Sequence, residues 1–472
     1  MSVDHELYQS PLSWRYGSPE MQALWSEAEK RRLMRRVWIA LAEAQQAAGL
    51  VRADQLARLR ASADAIDIDR ASEIEATTRH DVMAEILCWA EQVGDAGGVI
   101  HLGATSADIT DNVDALRIQA SLRLVRTALL RLIEVLAGRV AETADTVSLG
   151  WTHLQPAAPT TIGYRLAGAL QDFVTDLAVL DETLGRTAGK GFKGAVGTAA
   201  SYASLLEGSP LDPDAMEAAA MARLGLPAFP VTTQVYPRKL DWLVGNALAG
   251  IAGSAATLAM SIRLMQSPPF GEWSEGFAEG QVGSSAMPWK RNPINAENVN
   301  SLARYVAALP AVAWQNETLC LLERTLDDSA NRRLTLPGAF LATDEILRRC
   351  TRLAERFSIE QGAVAATLAR FGPFAATERV LLAAAGAGGD RQVLHERIRQ
   401  HSMAAWQALE QGRSNDLAER LAADAEILHW LPAETIRDLV GAPERHVGTA
   451  PRRAREMAAR ARAAILASGE TG

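Results

Sequence analysis

Five stretches of this chain repeat apolar residues at helical spacing over lengths well beyond three or four turns: 114–145, 161–187, 239–265, 296–323 and 339–370. In the first, Leu116, Ala120, Leu124, Ala128, Ile133 and Leu136 form the stripe, with Gly138 a weak breaker and no proline. At about 1.5 Å per residue it predicts one helix of roughly 45–50 Å. Pro310 is expected to interrupt and kink the fourth stretch. Helices of this length with one apolar face need partners along that face, so the pattern predicts an extended helical bundle. Composition agrees: aromatics are only 6%, and residues that lose little side-chain entropy in a helix dominate. Alternating β-branched runs are hard to find, so the fold class is all-α.

The third stretch raises a second question, because 242–262 has no charged residue over a length that could span a bilayer. It is rich in Ala, Gly and Ser, contains Asn246 and is flanked by charged sequence, which suits close helix packing in a soluble bundle. The chain has 472 residues and a formal net charge of −8, enough for about three domains at about 150 residues each. The acidic balance argues against general binding to nucleic acid or to an anionic membrane. Cys88, Cys320 and Cys350 are too few and too scattered for a disulfide framework or a zinc site. The first residues have neither a basic nor an apolar signal region, so a cytoplasmic location is expected.

Chemistry is expected in the Pro- and Gly-rich connections, at 101–112, 190–197, 208–214, 226–237 and 268–293. The last carries Gly271, Gly276, Gly280 and Gly283, the backbone freedom that a closing lid needs. Within it, Gly283-Ser284-Ser285-Ala286-Met287-Pro288-Trp289-Lys290-Arg291-Asn292-Pro293 sets a serine pair, a cation and an amide ahead of a helix. That set could hold a carboxylate and stabilise charge building on it. The stretch resembles the signature loop of the fumarase/aspartase superfamily. Thr78-Arg79-His80-Asp81-Val82-Met83-Ala84-Glu85 resembles the histidine block of its adenylosuccinate lyase branch. His101-Leu102-Gly103-Ala104-Thr105-Ser106 resembles the loop for a substrate carboxylate, and Gly150 to Ala157 the block with a second histidine. A lone histidine is more often structural than catalytic; four blocks in order argue otherwise. Glu323 to Arg333 and Ser13 to Tyr16 are similar to that branch's phosphate contacts, and the overall pattern is closer to the animal-type form. Without the resemblance, the former would read as a solvated helix face with i,i+4 pairs.

The resemblance implies a lyase that breaks a C–N bond by β-elimination, releasing fumarate from adenylosuccinate and from the succinyl-carboxamide ribotide of purine synthesis. It implies Ser284 as the base, His153 as the acid to the leaving nitrogen, Glu297 orienting it, and Lys290 and Asn292 on the carboxylate that becomes the enediolate. It places His80 near the phosphate or the proton transfer, and Thr105, Ser106, Thr152 and Gln234 at the succinyl end. Arg15, Tyr16, Asp81, Met287, Arg324, Ser329 and Arg333 complete the expected substrate contacts. No metal or organic cofactor is implied.

The family architecture would give an N-terminal helical domain over 1–112, a central five-helix bundle over 113–365 and a C-terminal helical domain over 366–472. Four bundles would form a twenty-helix core, a homotetramer whose active sites draw on three subunits. Trp151, Trp289, Asn295 and Ala199 depart from common family residues around the leaving group. A sister lyase acting on argininosuccinate or another nitrogen-bearing succinate therefore stays open, as does a non-catalytic homologue.

Other motifs fail. Gly386-Ala387-Gly388-Gly389 lacks dinucleotide spacing. His395 and His401 lie six apart and cannot share a helix face as metal ligands would. The Arg-rich stretch from Arg452 to Arg462 alternates with Ala around Glu456 and reads as a solvated terminal helix.

Overall fold

A computed structural model describes residues 6–277, 280 and 282–469. Nearly all regular structure is helical. Near the start lie α1 (Glu27–Ala47), α2 (Ile68–Thr78) and α3 (Asp81–Val93), followed by α4 (Ser106–Glu142) and α5 (Ile162–Gly185). Then come α6 (Lys239–Gln266), α7 (Ile294–Thr318), α8 (Asp327–Arg356) and α9 (Gln361–Ala375). Four of the five long periods are therefore single helices, and the all-α class holds.

Three details differ from expectation. α7 runs on through Pro310 without a break in the helix. The fifth period begins earlier and stops at Arg356, because Ser358–Ile359 leaves the helix and pairs antiparallel with Trp273–Ser274. A β-hairpin also stands between α4 and α5: β1 (Val147–Thr152) pairs antiparallel with β2 (Gln155–Thr161), with an irregularity between Leu149 and Trp151. Gly150, Pro156 and Pro159 disfavour helix there and blur the alternation that would announce a strand.

The chain divides into two compact units. Unit 1 comprises 1–129, 176–253 and 301–347; unit 2 comprises 130–175, 254–300 and 348–472. Unit 1 packs α1, α3 and the start of α4 around Val37, Trp38, Leu41, Trp89 and Ile109. Unit 2 includes a separate cluster around Val380, Leu394, Leu417, Ile427 and Ile436. α6 is the helix with the uncharged run; its most apolar window has a mean hydropathy of 1.5, and 44% of that window is buried.

Candidate active site

In unit 1 the first site residues are placed by a buried ionic clamp. Arg31 Nη1 and Arg35 Nε on α1 each donate to one oxygen of Glu85 on α3 at 2.8 Å, and Glu85 and Arg35 are fully buried. Taking these charges out of water requires good pairing, and both carboxylate oxygens have it. The clamp fixes the helix whose N-cap is His80. α2 ends at Arg79 in the left-handed region (φ 54°), which turns the chain sharply. His80 Nδ1 then accepts from Met83 N at 3.4 Å, and its Nε2 lies 3.4 Å from Ser106 Oγ. Asp81 beside it faces Lys30 at 3.7 Å and Arg333 at 3.2 Å. Burial would raise the Asp81 carboxyl, but those two cations hold it below its usual value.

These groups border a cavity of about 600 Å³ whose lining includes His80, Asp81, Ser106, Gln234, Arg324, Ser329 and Arg333. Seven of the residues expected from the sequence thus converge. Behind them is a buried guanidinium–carboxylate lattice. Arg238 donates to Asp111 at 3.0 Å and to Asp328 at 2.7 Å, while Arg332 donates to Asp241 at 2.7 Å and to the Tyr236 hydroxyl at 2.6 Å. Arg324 reaches Asp328 at 2.8 Å, so the i,i+4 pair of the simpler reading is present as well. Gln234 donates its side-chain amide to Ala195 O at 3.1 Å. Arg15 and Tyr16 are not among the lining residues; the Arg15 guanidinium lies 5.7 Å from the Trp14 ring and 6.0 Å from the Tyr16 ring.

Thr105 is held from below. Asp108, fully buried, accepts from Thr105 N at 3.0 Å, from Lys193 N and Gly194 N at 3.2 Å and from the Tyr202 hydroxyl at 3.2 Å, and it pairs with Lys190 Nζ. Burial lowers the Lys190 pKa despite the Asp108 partner, and burial likewise lifts Tyr202 well above its usual value. One carboxylate therefore ties the 101–106 loop to the 190–197 loop. His101, at φ 69°, accepts the Trp38 indole N–H on Nδ1 at 3.0 Å. Burial drops its pKa to about 4, with Asp108 opposing the shift.

Unit 2 holds the other residues. Thr152 and Gln155 pair, leaving His153 and Leu154 as a two-residue hairpin loop with φ of 53° and 59°. Such loops favour Gly and Asn, so a histidine there is a strained choice of the kind found at functional sites. His153 is exposed, with no hydrogen bond or ion pair among the described residues. Glu297 lies in the first turn of α7 and faces Arg263 at 3.8 Å. Trp151 packs edge-on against Phe270 at 4.9 Å and Phe371 at 6.0 Å, while Trp289 is 78% exposed.

In the 268–293 loop, Ser284 Oγ accepts from Met287 N at 3.1 Å and Ala286 N at 3.3 Å. Two amide donors aimed at one hydroxyl stabilise negative charge on that oxygen, the condition a serine base needs. Asn292 Nδ2 donates to Gly283 O at 2.9 Å, and a Cβ on Gly283 would sit 2.0 Å from Lys290 O, so only glycine lets the loop arms meet there. Met287 and Lys290 share this turn, Lys290 N donating to Met287 O at 3.0 Å.

Four site-lining or site-bracing residues escape the sequence reading. Lys30 lies among charged neighbours on an amphipathic helix, where nothing separates it from a solvated lysine. Arg238 and Arg332 owe their placement to carboxylates far away in the chain. His101 lies inside a recognisable block, but its role depends on Trp38, over sixty residues earlier.

Comparison with known proteins follows the same lines. A family model described as lyase matches residues 17–308, and one described as adenylosuccinate lyase C-terminus matches 373–457. The chain is 37% identical to the adenylosuccinate lyase of Saccharomyces cerevisiae and 36% identical to that of Schistosoma mansoni, each over 95% of this chain and 93% of the relative. It is 32% identical to the adenylosuccinate lyase of Archaeoglobus fulgidus, over 94% of this chain and 96% of the relative. Among solved structures, a 3-carboxy-cis,cis-muconate lactonizing enzyme from Pseudomonas putida superposes with a TM-score of 0.84 at 25% identity, covering 97% of this chain and 99% of that one. A fumarate lyase from Mesorhizobium sp. BNC1 gives 0.83 at 23% identity, covering 96% and 99%, a likeness of fold.

Proposed function

The chain belongs to the adenylosuccinate lyase family, and from that premise we propose that it cleaves adenylosuccinate to AMP and fumarate. The same site would release fumarate from the succinyl-carboxamide ribotide of purine synthesis. One observation carries the nucleotide assignment: the unit 1 cavity gathers Arg324, Arg333, Ser329 and His80 in one lining. Guanidinium forks and a hydroxyl suit a phosphate dianion. Arg15 and Tyr16 are read as further phosphate contacts, and Asp81 and Met287 as groups bordering the bound substrate.

The reaction requires a proton to leave Cβ beside a carboxylate, the C–N bond to break, and nitrogen to gain a proton. In this reading Ser284 takes the Cβ proton as an alkoxide, a role supported by its two amide donors. Lys290 and Asn292 hold the carboxylate as its second negative charge develops. The electron pair then moves to form the fumarate double bond while the C–N pair leaves with nitrogen. His153 gives that nitrogen its proton, with Glu297 orienting the ring. Thr105, Ser106, Thr152 and Gln234 bind the succinyl end.

The reading extends to a homotetramer whose active sites combine loops from three subunits. Support comes from α6, over half of whose apolar window is unburied, and from Leu319, Leu321, Leu322 and Leu326, all well exposed. Such apolar surface calls for a protein partner. The divisions 1–112, 113–365 and 366–472 are read as the three domains of each subunit. Three free cysteines suit the reducing cytoplasm.

The test is an ultraviolet assay of purified protein with adenylosuccinate, following the N6-substituted adenine chromophore and quantifying fumarate. Turnover that vanishes in Ser284→Ala supports the reaction and the base together. Absence of turnover in an intact oligomer would sink the substrate assignment and redirect it to other succinyl leaving groups.

A further inference from the structure

The loop bearing Ser284 connects α6 to α7 within unit 2, and its two arms are joined at the base by a buried carboxylate. Glu275 is 1% exposed. Its Oε1 accepts from Asn295 N and from Asn295 Nδ2, both at 3.1 Å, and its Oε2 accepts from Ala296 N at 3.0 Å. Asn295 and Ala296 are the second and third residues of α7, whose first amides have no partner within the helix. Glu275 therefore caps α7 from the opposite arm of the loop, and the positive end of the helix supplies the charge compensation that a buried carboxylate needs.

A second bridge runs beside it. Gln266, the last residue of α6, accepts from Glu275 N at 2.8 Å and donates to Arg291 O at 3.0 Å. Arg349 donates to Asn295 Oδ1 at 3.0 Å and holds that amide turned towards Glu275. None of these residues belongs to the expected catalytic set, yet the clasp fixes the chain on both sides of Ser284, Lys290 and Asn292. It also fixes the first turn of α7, where Glu297 sits one residue past the capped amide.

Resting on the lyase reading, we infer that Glu275 is the positioning residue of the reaction. It sets where the Ser284 loop begins and ends, and it acts on the chemical step through Ser284 and Glu297 rather than through nucleotide binding. The nucleotide cavity is built from unit 1 residues, so its affinity is independent of this carboxylate. Shape also matters here. Gln at 275 would turn an NH₂ group towards the N–H of Asn295 or of Ala296, whereas Asp keeps both acceptors on a shorter arm.

The experiment uses the full chain with Glu275→Ala, Glu275→Gln and Glu275→Asp. It measures kcat and KM for adenylosuccinate, the Kd of AMP, and the rate at which trypsin cuts after Lys290 or Arg291. Misplacing reacting groups by about 1 Å costs on the order of 100-fold in rate, so kcat should fall about 10- to 100-fold in the Ala and Gln variants. The AMP Kd should stay within about twofold of wild type. Trypsin should nick the Ala variant's loop about tenfold faster, since proteolysis follows local opening. Glu275→Asp should recover part of both losses. Wild-type kcat and nicking in the Ala variant would overturn the inference. So would a loss of AMP affinity equal to the loss of kcat and not rescued by Asp, which would mark a general folding role. If wild-type protein leaves adenylosuccinate untouched, the lyase reading of its substrate fails, and the trypsin comparison alone still decides whether Glu275 orders the loop.

Discussion

Trp38 gives its indole N–H to Nδ1 of His101 at 3.0 Å, which leaves that nitrogen an acceptor and the ring neutral. With the folded pKa near 4 against an ordinary 6.5, the unfolded chain binds a proton that the folded chain refuses. The sign follows from linkage: this contribution is fully present above about 6.5 and is lost as pH falls towards about 4. Unfolding midpoints measured across that interval should decline more steeply for wild type than for His101→Gln. Parallel slopes would refute the buried neutral ring.

Removing Glu85 takes the carboxylate partner from buried Arg35 and one of two from Arg31. Breaking a buried ion pair by deleting one partner costs about 3–5 kcal/mol, and Glu85→Ala should lower the denaturant midpoint accordingly. Because Glu85 fixes the helix capped by His80, AMP affinity should weaken in the same variant. A midpoint within experimental error of wild type would show that Arg31 and Arg35 find other partners.

Ser284→Ala deletes the proposed base while its amide donors stay in place. Loss of a positioned acid or base typically costs about 10²–10⁴-fold in rate, and the fall should appear in kcat with AMP affinity unchanged. Retention of more than a tenth of kcat would remove Ser284 from the proton transfer.

Leu154 is 61% exposed and sits at φ 59° in the hairpin loop, a conformation that costs an ordinary side chain roughly 1–2 kcal/mol. Leu154→Asn places a residue suited to that region, so it should stabilise the protein by about 0.5–1 kcal/mol. Activity should persist, because the His153 side chain and backbone are untouched. Destabilisation by calorimetry would mean that Leu154 is held by packing.

The long helices were legible because their apolar stripes repeat over many turns, so one proline, as at Pro310, does not erase the signal. The motif blocks were legible as family motifs, and the unit 1 cavity gathers six of the residues they name together with Gln234. Where the reading failed, distant partners decided the structure. The helix expected over 339–370 stops because Ser358 and Ile359 pair with Trp273 and Ser274, a contact across more than eighty residues. The hairpin carrying His153 was hidden by Gly150, Pro156 and Pro159, which break both periodicities at once. Arg238 looks like any surface arginine until Asp111 and Asp328 close around it.

The carboxylate of Asp108 imposes a constraint on how this sequence can vary. Thr105, Lys190, Lys193, Gly194 and Tyr202 all direct donors at it. A neutral residue at position 108 would leave a lysine and several amides buried without an acceptor. A library randomised at position 108 alone should yield almost no folded clones. Joint randomisation of 108, 190 and 202 should recover some, with the charges at 108 and 190 lost or exchanged together. In lineages that have drifted apart, these positions should therefore change as a group, and a chimera joining the 101–106 loop of one to the 190–197 loop of another should fail to fold.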